Sequence, residues 1–172
     1  PPLYRALQAM RQGCLVAWND GAHPDVDGLL PADVKQAAAA GLARFALNRS
    51  FPAFSQCSRD NDPGKGDNSD GDVVGFMNRG LNWADPVETT ARYEVLITYE
   101  LDAADLPLRV DVTPRRCQAF RLTPGESCTA ANIDATGKTL QTLRLAADPG
   151  GRVTFPGFEL TQRQGNRLVL SR

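Results

Sequence analysis

The chain holds 172 residues with a mass of 18.6 kDa, room for one or two small domains. Hydrophobic residues make up 42% and charged residues 23%, a globular balance that excludes wholesale disorder. Nineteen Lys and Arg against twenty Asp and Glu give a net charge of −1, so there is no basic excess for nucleic acid, and no apolar run approaches the roughly 18 residues of a membrane span.

The chain opens on Pro1-Pro2 without Met and reads as an excised or processed piece of something longer. Leu3, Leu7 and Met10 lie on one face of a short first helix that ends before Gly13. Cys14–Trp18 is an apolar run of strand length, followed by a Gly-, Asp- and Asn-rich loop from Asn19 to Gly28 that carries the single histidine, His23. Pro31 and Asp33 open a second helix, and Val34, Ala38, Leu42 and Phe45 follow at helical spacing until Pro52 forbids continuation. The predicted order over residues 1–50 is helix, strand, loop, helix: an α/β unit.

Residues 51–90 read as an irregular Asp/Gly-rich connecting loop. Asp60, Asp62, Asp67, Asp70 and Asp72 crowd together with Lys65 as the one internal base. Carboxylates at this density repel unless they are hydrated or share a hard cation, and calcium is the cation that suits Asp, Asn and loop carbonyls. The spacing departs from the EF-hand, because Gly71 stands where the bidentate Glu belongs. A solvated loop is the simpler alternative, and no other cofactor is expected.

From residue 91 the period changes to two. Tyr93, Val95, Ile97 and Tyr99 alternate with Glu94, Leu96, Thr98 and Glu100, the pattern of a half-buried strand. Further strands are predicted at 108–113, 117–123, 127–133, 139–146, 152–155, 158–161 and 167–171. Turn signals separate them, at Pro124-Gly125, Ala135–Lys138, Pro149–Gly151 and Gln164–Asn166. Residues 91–172 are therefore expected to form an all-β sandwich of about seven or eight strands, and the whole chain an α+β fold.

The four cysteines, Cys14, Cys57, Cys117 and Cys128, include no CxxC pair, and one histidine is too few for an ordinary zinc site. Cys117 and Cys128 stand at a spacing that allows a cross-strand disulfide, with free thiols the equal alternative.

Helix, strand, Trp18-Asn-Asp-Gly-Ala-His23 and a closing helix over 32–48 resemble the C-terminal end of the α/β-hydrolase fold, in which a histidine follows the last strand. The segments from Ser50 to Ser55 and from Val110 to Phe120, with the closing sandwich, are similar to the C-terminal extension of large bacterial hydrolases. The resemblance implies that His23 is the general base of a serine hydrolase acting on an ester or related acyl bond. No Gly-x-Ser-x-Gly occurs, so the nucleophile and the triad acid would belong to a missing N-terminal hydrolase domain, and this piece alone would be inactive. It further implies a small-molecule acyl substrate reached through the whole enzyme; the even cysteine count is compatible with an extracytoplasmic setting, periplasmic or secreted. A strand at Cys14–Trp18 cut from its sheet would also keep an unpaired edge.

The alternative comes from a different class: a non-catalytic sandwich that binds carbohydrate or protein, or acts as a spacer. Trp83, Tyr93 and Tyr99 would stack on sugar rings if exposed, although an alternating strand more often turns such residues inward. Arg115-Arg116 suits bidentate contact with a phosphate or carboxylate, or an interdomain ion pair.

Overall fold

Why the chain becomes sheet is clearest at its regular segments, where β-branched and aromatic residues recur at every second position. The computed structural model describes residues 2–11, 16–18, 32, 36, 45, 47–62, 64 and 75–172. In chain order these comprise helix α1 (Pro2–Met10) and strands β1 (Val16–Trp18), β2 (Phe51–Ser55), β3 (Gly75–Met77), β4 (Leu81–Trp83) and β5 (Val87–Glu88). There follow β6 (Arg92–Tyr99), β7 (Leu108–Arg115), β8 (Ser127–Ile133), β9 (Thr139–Ala146), β10 (Phe155–Leu160) and β11 (Asn166–Ser171).

Two sheets make a β-sandwich-like, β-rich fold. The small sheet has the order β10-β7-β2, and the large sheet the order β4-β6-β11-β8-β9, with β5 pairing beside β4 on β6. The pairings are antiparallel: Leu168 lies opposite Val95 on one side and Asn132 on the other. Alternation then sends Tyr93, Val95, Ile97, Cys128, Ala130, Leu168 and Leu170 to the inner face of the large sheet. They meet Leu108, Val110 and Val112 of β7, Phe155, Phe158 and Leu160 of β10, and Phe54 of β2 in one apolar core. Tyr93 and Tyr99 are 0% and 3% exposed, so neither offers a platform for a sugar ring.

The α+β expectation with an α/β-hydrolase remnant is overturned. The described residues are dominated by strands, and α1 is the one α-helix among the described elements. β1 does not stand at a bare parallel edge: it pairs antiparallel with β3, Val16 opposite Met77 and Trp18 opposite Gly75. The final strand of an α/β sheet runs parallel to its neighbour, so this ribbon is a different construction. Of the expected second helix, only Ala32 and Gln36 are described as helical, and Leu47-Asn48 form a turn. α1 is also held differently from its pattern. Leu3 and Met10 are 57% and 51% exposed, while Gln8 is buried. The Gln8 Oε1 accepts from Gln56 N at 2.6 Å, and its Nε2 donates to Asp60 Oδ2 at 2.9 Å.

Strand boundaries at 127–133 and 139–146 match the alternation. The two runs expected at 152–155 and 158–161 are one strand, β10, bulged between Phe155 and Phe158 where Gly157 takes φ of 58°. Segment 51–90 supplies β2 to the small sheet and β4 and β5 to the large one. No described helix is long and apolar enough to cross a membrane.

Candidate binding cleft

At one end of the sandwich the chain leaves β7 through Arg116, whose φ of 54° ends the strand. The segment that follows, 117–123, is expected as a strand but is a loop, and Glu88 explains why. Its carboxylate accepts three successive backbone N–H groups, from Gln118 (3.0 Å), Ala119 (2.9 Å) and Phe120 (3.0 Å). Donors that converge on one anion cannot also point alternately across a sheet.

The facing wall is the turn between β9 and β10. Asp148 Oδ1 accepts from Gly150 N at 2.8 Å and Arg152 N at 3.0 Å, and its Oδ2 accepts from Arg152 Nε at 2.9 Å. Gly151 has φ of +73°, and a Cβ there would stand 2.6 Å from Leu122 O. Glycine is thus needed both for the turn and for the approach of the two walls.

Between the walls lies a cleft of about 370 Å³. Its lining residues include Pro114, Phe120, Leu122, Val153 and Leu170, which are apolar, and four arginines, Arg115, Arg116, Arg121 and Arg152. Three of these are oriented by protein acceptors. Arg116 Nη1 donates to Phe45 O at 2.6 Å, Arg121 Nε donates to Cys117 O at 3.2 Å, and Arg152 is held by Asp148. Burial, then the neighbouring charges of Arg152 and Arg116, lower the pKa of Arg115, with Asp148 acting in the opposite direction. Like charges are therefore gathered here, with the Asp148 carboxylate paired to Arg152 and the Glu88 carboxylate beside Cys117 and Phe120.

Cys117 also lines the cleft. Burial, with Glu88 nearby, pushes its thiol up to about 12, so it is protonated at neutral pH and a poor nucleophile. Burial likewise raises Cys57, to about 12, and Cys128. Cys57, Cys117 and Cys128 are all free thiols, so the Cys117–Cys128 disulfide is not formed.

Comparison of the chain with protein-family models, curated proteins and solved structures finds no match. The α/β-hydrolase resemblance gains no support from relatives.

The other expected site residues are not brought into it. His23, Cys14, Asp67, Asp70 and Asp72 lie outside the described residues. Asp60 takes Gln8 Nε2 on one oxygen and Asn78 N, at 2.6 Å, on the other, fastening α1 to the turn after β3. Asp62 accepts from Gly64 N at 3.1 Å and stands 4.0 Å from Arg5 Nε. Among the described residues no group of three or more His, Cys, Asp or Glu is placed to hold a metal ion. Trp83, the third aromatic considered for sugar stacking, packs against Phe45 and Phe54 with ring centroids at 5.7 and 5.9 Å.

The sequence reading singled out Arg115-Arg116 and missed Arg121 and Arg152. Those two belong to separate loops, and only the folding of 117–123 away from the sheet brings them together.

Proposed function

We propose that this chain is a non-catalytic β-sandwich module that binds an anionic partner through the cleft between the 114–122 and 150–153 segments. One observation carries the reading: four arginines line a single cleft in which the one thiol is held protonated. Guanidinium groups bind oxyanions bidentately and keep their protons at any physiological pH, so they recognise without serving as general bases. An acyl-transfer site needs a nucleophile and a base within hydrogen-bond reach, and the cleft lining supplies neither.

The test is thermal unfolding of the full chain with citrate at constant ionic strength, beside Arg121→Gln and Arg144→Gln. Arg144 lies exposed on β9, outside the cleft. Citrate at ten times its Kd is expected to stabilise the wild type by about 1.4 kcal/mol, about 3–6 °C in Tm. The shift should survive R144Q and shrink in R121Q. Equal shifts in all three proteins would overturn the reading. So would hydrolysis of a p-nitrophenyl ester by this chain that disappears in His23→Ala, which would show a catalytic role that the binding-module reading does not have.

A further inference from the structure

We infer that the backbone at 118–120 is a carboxylate-binding site whose resident ligand is the chain's own Glu88, and that the seated carboxylate clasps this loop and shields Cys117. The inference does not depend on what the cleft binds, because it concerns how one wall is fastened.

Three consecutive peptide groups aim at one anion. Gln118 N donates to both Glu88 oxygens at 3.0 Å, and Ala119 N and Phe120 N donate to Oε2 at 2.9 and 3.0 Å. Successive N–H groups that converge in this way make a concavity in which fixed backbone dipoles replace the hydration of an anion. The Ser50 hydroxyl bonds the same carboxylate. Ser50 directly precedes β2 and Glu88 lies on β5, so one side chain joins three segments that are remote in sequence.

Strand pairing contributes little to this junction. β5 has two residues, Val87 opposite Glu94 and Glu88 opposite Tyr93, and Val87 is 69% exposed. The loop itself lies between β7 and β8, outside both. The carboxylate, and not a ladder, orients its N–H groups.

Cys117 opens the loop, half-buried, and its carbonyl accepts Arg121 Nε. Burial first, and the Glu88 charge second, keep the thiol protonated. Loosening the loop and removing that charge both favour the thiolate, the form that reacts with an alkylating reagent. Cys57 and Cys128 are buried in the core and make internal controls.

The experiment is Glu88→Ala in the full chain, with acetate as the probe and chloride holding the ionic strength constant. It reads the Tm and the rate of iodoacetamide labelling at each cysteine, resolved by peptide mass mapping. E88A is expected to label Cys117 about tenfold faster than the wild type, while labelling of Cys57 and Cys128 changes by less than about twofold. Acetate should slow the Cys117 reaction in E88A and raise the Tm of E88A more than that of the wild type, whose site is filled. Equal acceleration at Cys57, Cys117 and Cys128 overturns the inference, because it reports unfolding of the whole sandwich. So does an equal acetate shift in both proteins, or none in E88A. Should E88A not fold, hydrogen exchange of the wild type decides. Marked protection of the Gln118 and Ala119 amides at neutral pH supports the clasp, and exchange as fast as in an unfolded chain overturns it.

Discussion

The side-chain amide of Asn132 on β8 donates to the backbone carbonyl of Glu159 on β10 at 2.7 Å, joining the large sheet to the small one. The same amide also donates to Gln141 Oε1 at 2.7 Å, and Asn132 Oδ1 accepts from Asn166 Nδ2 at 3.0 Å. Asn132 and Asn166 are both 0% exposed. Buried amides at this depth are tolerable because each finds partners, and their removal strands the partners without water. Asn132→Ala is therefore expected to destabilise the protein by about 2–3 kcal/mol in urea unfolding. A loss below about 0.5 kcal/mol would mean that the network is not formed.

That network also marks how far the sequence could be read. Asn132 breaks the apolar alternation of its strand, yet Ser127–Ile133 was still legible because Cys128 and Ala130 kept the period on the same face. β2 was not legible. Phe51–Ser55 is buried at every position, so it has no alternation, and Pro52 argues against a strand. It survives as an edge strand on β7, where Pro52 lies opposite Pro114. The cleft was half legible. Arg115 and Arg116 are adjacent in sequence, but the signal that pulls Arg121 away from a sheet is a carboxylate some thirty residues upstream, which local pattern cannot report. The resemblance to an α/β sheet rests on element order and on the segments Trp18–His23, Ser50–Ser55 and Val110–Phe120, none of which states the direction of a strand's partner. The antiparallel partner of β1, β3, comes from the segment expected to be irregular.

The glycines at two turns separate backbone strain from collision. Gly165, in the turn between β10 and β11, has φ of +100°, and a Cβ there would stand 2.3 Å from Ile97 O. Gly137, in the β8–β9 turn, has φ of +90° with nothing within 4 Å of the added atom. Gly137→Ala should lose about 1 kcal/mol, the strain of a left-handed non-glycine residue alone. Gly165→Ala should lose more than about 3 kcal/mol, because the Ile97 backbone belongs to a central strand and must move. Chemical unfolding of the two variants side by side checks the order; equal losses would show that the turn yields.

Tyr93 is 0% exposed, and its hydroxyl has no hydrogen-bond partner among the described residues. Burial, with Cys117 and Glu88 nearby, raises its pKa well above 10.0, so the ring stays neutral. A buried hydroxyl without a partner retains its desolvation penalty in the folded state. Tyr93→Phe removes that penalty, keeps the ring against Phe120, and is expected to raise stability by about 1 kcal/mol. Thermal unfolding measures it, and a loss of similar size would mean that the hydroxyl is satisfied.

Glu88 ties stability to the cleft. Burial opposes its ionisation, but the N–H groups of Gln118, Phe120 and Ala119, with the Ser50 hydroxyl, outweigh that and hold its carboxyl below the ordinary 4.5. A carboxyl whose folded pKa is depressed adds stability that is complete above its unfolded pKa and disappears as pH falls through the folded one. Glu88→Gln should lose about 1–2 kcal/mol near neutral pH, since an amide offers one acceptor and turns donors toward the same N–H groups. The gap between wild type and E88Q should stay constant above about pH 5 and narrow below 4.5 as the wild-type carboxyl is protonated. The same substitution should loosen the 118–122 loop and, with it, the hold on Arg121, reducing the citrate-induced shift in Tm. Acid unfolding curves that run parallel down to pH 3 would show that the carboxylate does not organise this loop.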